Sequence, residues 1–511
     1  MKKKILSIIL TLSMLCAFMP VIATAATSGT CGNNVTWTLD DNGTLTISGT
    51  GEMENDMYSS PFFNSNIKSV IIENGVTSIG DYVFEYCRSL TSVTIGNSVT
   101  SIDNRAFACC ENLDSVYITD LVAYLNIDGY SPMEYANKLY LNGKRMTGAV
   151  TIPDSVTRIV GNAFNGCDSI TSITIPDSVT SVGNSAFRGC SGLTSITIPD
   201  SVTSIGDDVF EYCSGLTSIT IPDSVTSVGN SAFCGCSGLT SITIPDSVTS
   251  IGYDVFEYCS GLTSITIPDS VTSVGNSAFR GCSGLTSITI PDSVTSVGNS
   301  AFSACSGLTS ITIPDSVTSI GDDVFEYCSG LTSIILGNGI TNIDGNIFSG
   351  CSNLAKIVIP KSITEIESGQ FSDCSKLTTV EYGGSQSDWE EIYIGLNNDY
   401  LKNAKINYNS PLAPTPKPTP IPTTTATVKK SETDTTYNFD VTPEVAYENC
   451  YIYAAVYDEN GILCAINRVP LETTGNTSVS VDKNDNAKKA KVFVFSSTLQ
   501  PIITSEEFPL I

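Results

Sequence analysis

A phenylalanine recurs every 23 residues through most of this chain, and that spacing constrains its fold more than any other feature. Phe84 and Phe107 are 23 apart, and from Phe164 the series runs Phe187, Phe210, Phe233, Phe256, Phe279, Phe302, Phe325, Phe348 and Phe371. A cysteine follows each one three residues later, from Cys87 to Cys374, so twelve copies carry both. One full unit, residues 201–223, reads SVTSIGDDVFEYCSGLTSITIPD. Self-similarity at a fixed period of roughly 20–50 residues marks stacked repeats, each too small to bury its own apolar face.

Within the unit, Leu216, Ile219 and Ile221 put apolar side chains on one side of a short strand, while Ser218 and Thr220 alternate outward. Pro222-Asp223 turns the chain, Val225 and Val228 form a second inward stretch, and Gly229 bends it again. Phe233 and the small Ala232 before it fill a third wall, expected as a tight helical turn. Stacking such units gives parallel strands about 4.8 Å apart around one continuous core.

The pattern Ile221-Pro-Asp-Ser-Val-Thr-Ser-Val-Gly229, with Phe233, Cys236, Leu239, Ile242 and Ile244 after it, resembles the BspA-like leucine-rich repeat of bacterial surface proteins. The resemblance covers about residues 67–409. It implies a leucine-rich-repeat solenoid of parallel strands and short helical turns. It also implies an exported or surface protein linked to adhesion and cell interaction. Ser224 and its equivalents stand where the commoner leucine-rich repeat has an Asn ladder after the strand.

Two repeat types alternate from residue 178 to 269, a 46-residue super-unit, before the pattern slips near 293. One reads Asn184-Ser-Ala-Phe-Arg-Gly-Cys190, the other Asp207-Asp-Val-Phe-Glu-Tyr-Cys213. Asp207, Asp208 and Glu211 are therefore expected as periodic acidic bands. Copies this alike can repeat one weak contact many times, but they cannot build a chemically distinct pocket.

The flanking segments differ in character. Residues 1–25, with Lys2 to Lys4, the apolar run Ile5–Phe18 and Ala23-Thr24-Ala25, read as a secretory signal peptide, too short for a membrane span. Leu15 is too bulky for lipoprotein processing at Cys16. Residues 26–66 read as an N-terminal β-hairpin cap turning at Asp41-Asn42-Gly43. An insertion at 120–150, carrying Tyr124, Ile127, Tyr135 and Leu139, and a C-terminal cap at 386–409 share a helix-plus-strand order; the insertion is either a packing element or a projecting island. Residues 410–426 form a Pro/Thr linker. Residues 427–511, with about seven short strands, read as an immunoglobulin- or fibronectin-like β-sandwich.

Chemistry is narrowed mainly by what the composition lacks. The chain has no His, which removes His-based nucleophilic sites and His-ligated zinc. Its 25 Lys and Arg against 52 Asp and Glu, with no basic cluster, exclude nucleic acid and anionic membranes as partners. Acids that recur in alternate repeats behave as a solvated face rather than as a paired-carboxylate catalyst. Asp482-Lys-Asn-Asp-Asn486 starts like a calcium loop, but Ala487 replaces the turn glycine and Phe493 the bidentate Glu, so it is read as a turn. The ladder cysteines are expected as free buried thiols, with Cys450 and Cys464 out of register for a disulfide.

The chain is thus expected to be a secreted, surface-associated, non-catalytic protein without cofactor or metal. The expected binding face is the exposed strand side: Ser195, Thr197, Ser218, Thr220, Ser241, Thr243, Ser264, Thr266, Ser287, Thr289, Ser310 and Thr312. There repetition would give avidity toward an extracellular protein or glycan. Two alternatives stand beside it. One is a structural spacer with binding confined to the C-terminal sandwich; the other is ice binding by the Ser/Thr sheet.

Overall fold

The computed structural model describes residues 27–53, 60–62, 65–410 and, by backbone alone, seven strands between Thr427 and Pro509. The expected signal peptide, the linker after Ser410 and the Asp482–Asn486 loop beyond Asp482 lie outside the described residues. The chain divides into two compact units, residues 1–415 and 416–511.

In the first unit each repeat is one rung with three sides. The first side is a strand such as Ser218–Thr220, exposed, buried, exposed in turn because successive side chains point to opposite faces. It pairs in parallel with the next rung, Ser218 opposite Ser241 and Ile219 opposite Ile242. The second side is a two-residue strand, with Ser204 opposite Ser227 and Ile205 opposite Val228. A shift of one residue would turn the Ile and Val ladder outward, so burial holds this register.

The third side departs from the expected helical turn. It is a run of turns in which the residues two before and two after the Phe are left-handed, as at Asp208 and Tyr212, both with φ 57°. A helical turn would bond its N–H groups within the rung. Here alternate N–H groups donate to the following rung instead: Asp208 to Asn230, Phe210 to Ala232 and Tyr212 to Cys234, at 2.7–2.9 Å. Rungs stacked at strand spacing offer a carbonyl to every second N–H, so the wall is a ladder rather than a coil.

These three walls enclose the Phe rings, which stack at centroid separations of 5.2–6.1 Å along each uninterrupted run. Offset stacking of this kind adds to the burial of each ring. Phe62, only 22 residues before Phe84 and so outside the strict period, extends the stack at 5.5 Å and meets Trp37 edge-on. The expected hairpin is present as β2 (Val35–Leu39) and β3 (Thr44–Gly49), and a further strand, β1 (Thr27–Gly32), precedes it. Asp40 Oδ1 accepts the N–H groups of Asn42 and Thr44 and so closes the turn. Because β3 runs parallel to Ser69–Ile72, the cap continues the solenoid sheet.

The insertion packs into the core. Its helix Leu121–Leu125 is capped by Asp120, and strand Lys138–Leu141 pairs in parallel with Ser115–Ile118. Tyr124, Leu125, Met133 and Leu139 are buried, with the Tyr124 hydroxyl donating to the Ala163 carbonyl at 3.0 Å. Lys144–Arg145 folds back antiparallel, which ends that sheet; Gly148–Thr151 begins the next. The C-terminal cap repeats the order: helix Gln386–Glu390, strand Tyr393–Ile394, helix Asp399–Lys402 and strand Lys405–Asn407, both strands pairing in parallel with the preceding rung. Asn398 is fully buried, its Oδ1 accepting the Phe371 N–H, so a side-chain amide replaces the missing next rung.

In the second unit the seven strands form two antiparallel sheets. One has the order 427–432, 436–442, 477–482 and the other 463–470, 450–457, 489–496, 501–509. Cys464 falls at a register break opposite Val456 and Tyr457, at the far end of its strand pair from Cys450.

Candidate functional site

The first strand of each rung carries three side chains that could meet a partner, and the structure separates their roles. Thr217 and its equivalents donate Oγ1 to the carbonyl of the Thr one rung earlier, as in Thr194 to Thr171 at 3.1 Å and Thr240 to Thr217 at 3.2 Å. Those hydroxyls serve the fold. The side-chain hydroxyls of Ser218 and Thr220, the columns singled out from sequence, are exposed and make no hydrogen bond to another described residue. Their donors and acceptors therefore face solvent.

The two columns stay in register over most of the predicted span. Thr197 lies opposite Thr220, Thr220 opposite Thr243, Thr243 opposite Thr266 and Thr266 opposite Thr289; Ser264 lies opposite Ser287. The residues Ser195, Thr197, Ser218, Thr220, Ser241, Thr243, Ser264, Thr266, Ser287 and Thr289 share one hydrogen-bonded sheet. Ser310 and Thr312 do not, because their strand begins the next sheet. There Ser310 still faces Ser333, but Thr312 faces Ile335, which ends the Thr column. At the other end both columns reach further than sequence suggested, to Ser172 and Thr174, and the Thr column continues to Thr151, while Ala149 opposite Ser172 ends the Ser column. The repeat ending at Thr174 follows the irregular insertion, which hid it.

The polar corners are occupied by the fold. Ser224 donates to the Val202 carbonyl at 2.7 Å, so the serine in place of the Asn ladder does its own rung-to-rung bonding. An Asn/Asp ladder is present after all, at the opposite corner: Asn184 Oδ1 accepts from Asp207 N–H, Asp207 from Asn230, and Asn230 from Tyr253. The expected acidic bands are partly neutralised, since Arg188 pairs with Glu211 and Arg280 with Glu257.

The cysteines point inward. From Cys87 to Cys374, Cys167 apart, each ladder thiol donates to the carbonyl of the Phe in the preceding rung at 3.0–3.2 Å. The ladder cysteines from Cys87 to Cys374 are thiols outside any disulfide. Burial pushes Cys213 up to about 12 and raises Cys190 and Cys282 well above an ordinary thiol, so these three are not ready nucleophiles at neutral pH. A small hollow bordered by Ile102, Tyr124, Tyr130 and Val160 has room for about one water.

What remains is an extended uncharged surface of repeated hydroxyls. It can donate and accept hydrogen bonds at regular intervals.

A family model described as the BspA type leucine rich repeat region matches in six copies, over residues 55–147, 134–263 and 251–378. Among solved structures, a leucine-rich repeat protein from Eubacterium ventriosum is 28% identical, with TM-score 0.52, covering 68% of this chain and 95% of its own. A leucine-rich repeat protein from Bacteroides ovatus is 25% identical (TM-score 0.44; 74% of this chain, 98% of its own). A leucine rich cell surface protein from Faecalibacterium prausnitzii is 29% identical (TM-score 0.40; 72% and 97%). Comparison with curated proteins returns no match. Among the described residues no helix is long and apolar enough to cross a membrane.

Proposed function

This chain belongs to the BspA-type leucine-rich-repeat family, and on that premise we propose that it is an exported, non-catalytic adhesion or interaction protein. Its solenoid presents the Ser/Thr strand face to an extracellular protein or glycan, and residues 427–511, read as an immunoglobulin-like sandwich, act as spacer or second module. One observation carries this reading. The Ser218 and Thr220 columns are repeated in register with their hydroxyls unused by the fold, whereas the neighbouring Thr217 column is consumed by it. Ser and Thr are ordinary solvent-facing strand residues, and what sets these columns apart is the number of aligned copies. Many weak identical contacts give avidity without a strong single site.

The test is retention of the full chain on arrays of matrix proteins and glycans, against a Thr220→Lys/Thr243→Lys/Thr266→Lys variant. These exposed positions accept Lys without touching the core. Loss of retention by the variant supports the strand face. Unchanged retention, reproduced by residues 427–511 alone, means that the solenoid is a spacer.

A further inference from the structure

The third side of the rung carries tyrosines that the strand-face reading leaves unused. Tyr212, Tyr258 and Tyr327 stand two residues after the core Phe, where Gly189, Gly235, Gly281 and Gly350 stand in other rungs. The backbone is left-handed in both sets, with φ of 56–57° at the tyrosines and 68–75° at the glycines. Gly adopts that conformation freely, whereas Tyr does so against a steric cost. The rings gain little burial in return, being 51%, 48% and 60% exposed. Ala304 and Asp373 hold the same left-handed conformation at this position, so the wall itself imposes it, and the exposed rings are an addition that the fold does not require.

The intervening glycines seat the rings. A Cβ on Gly235 would stand 2.5 Å from Cδ1 of Tyr212, and one on Gly281 would stand 2.5 Å from Cδ1 of Tyr258. Each ring therefore lies over the bare backbone of the following rung. The guanidinium groups of Arg188 and Arg280 lie 5.8 and 5.5 Å from the Tyr212 and Tyr258 ring centroids and are themselves tied to Glu211 and Glu257. Arg188, Glu211, Tyr212, Glu257, Tyr258 and Arg280 thus form one stripe over five rungs, with the rings held in place in advance. Strands of successive rungs lie about 4.8 Å apart and the core Phe rings of the three central rungs 5.4 and 5.6 Å apart, so equivalent points two rungs apart are separated by roughly 10–11 Å.

We propose that this stripe binds a neutral, extended, β-1,4-linked polysaccharide. The two-residue repeat of such a chain is close to the spacing of the rings. Its flat C–H faces stack on aromatic rings, and the guanidinium–carboxylate pairs offer donors and acceptors to its hydroxyls. A protein partner is a poorer fit, because the Cys234-Gly235 rung separates the rings and no contiguous apolar core forms. Asp207, Asp208 and Asp254 nearby, on a chain of net charge −27, disfavour an anionic glycan. The stripe lies on a different side of the rung from the hydroxyl columns, so it stands or falls independently of them.

Affinity electrophoresis of the full chain in gels containing soluble β-1,4-linked glucomannan tests this, with carboxymethylcellulose as the anionic control. The Tyr212→Gly/Tyr258→Gly variant installs the residue that neighbouring rungs already carry. It should fold with an unchanged or raised melting temperature and bind glucomannan about tenfold or more weakly. Asp223→Asn/Asp246→Asn, at exposed turn positions outside both the stripe and the hydroxyl columns, should bind like the parent, and carboxymethylcellulose should retard the parent less than glucomannan does. An unretarded parent, a tyrosine variant that binds as tightly, or equal loss in the turn variant would each overturn the proposal. So would Tyr-dependent retention on a protein array without retardation by the glycan.

Discussion

Cys259 donates its S–H to the carbonyl of Phe233 one rung earlier, with Sγ and O 3.1 Å apart, and that carbonyl also accepts the Cys236 N–H. The thiol therefore links two rungs through a group the backbone already uses. Cys259→Ala should lose this weak bond and leave a small void, costing about 1–2 kcal/mol. Urea unfolding monitored by circular dichroism would read it as a lowered midpoint. An unchanged midpoint would mean that the S–H to carbonyl contact contributes nothing.

The same burial sets an alkaline limit. Burial pushes Cys167, Cys213 and Cys374 up to about 12, whereas an unfolded thiol ionises near its ordinary value of 9.0. Below pH 9 both states are neutral and stability is independent of these groups. Between pH 9 and about 12 the unfolded chain releases protons that the folded chain keeps. Stability should then fall by up to about 1.4 kcal/mol per pH unit for each such thiol. Melting temperatures at pH 8 and pH 10.5 check this; no decline would contradict the buried ladder.

Phe256 is 1% exposed and stacks between Phe233 and Phe279. Phe256→Ala should cost about 3–5 kcal/mol through cavity formation, since two stacked neighbours on a rigid ladder cannot close the gap. Because each rung touches mainly its neighbours, hydrogen exchange should rise near residues 230–285 before it rises near the caps.

The Asn/Asp ladder is interrupted at Tyr253. Asn230 Oδ1 accepts the Tyr253 N–H at 2.9 Å, but Tyr253 has no side-chain carbonyl to offer Asn276. Tyr253→Asn should restore that contact, remove an exposed ring and raise stability by about 0.5–1 kcal/mol. The measurement is a guanidinium midpoint, and a decrease would show that the corner does not need the ladder.

Tyr124 ties the insertion to the following rung through its bond to the Ala163 carbonyl, and its hydroxyl also meets Ser131 at 3.0 Å. Tyr124→Phe should cost about 1–2 kcal/mol and loosen residues 120–150 together with the rung of Phe164. Protease susceptibility confined to 120–150, with the Phe164 rung unaffected, would instead describe a projecting island.

How much could be read from the chain varied with the regularity of its parts. The 23-residue Phe–Cys spacing and the Ser-Ile-Thr alternation were sufficient for a parallel solenoid, for the inward faces of Ile219 and Phe233, and for the exposed Ser218 and Thr220 columns. Those features follow from periodicity, because side-chain direction in a stacked strand depends only on position. Packing between rungs decided the remainder. Backbone bonding to the next rung made the Phe wall a turn ladder with left-handed Asp208 and Tyr212, where local sequence had suggested a helical turn. Phe62 joined the core although it breaks the period, because ring stacking tolerates a one-residue slip that pattern matching does not. The stripe of Tyr212, Tyr258, Arg188 and Arg280 could not be anticipated at all. Its members come from different rungs, and only the stack brings a residue of one repeat against the guanidinium and the glycine of the next.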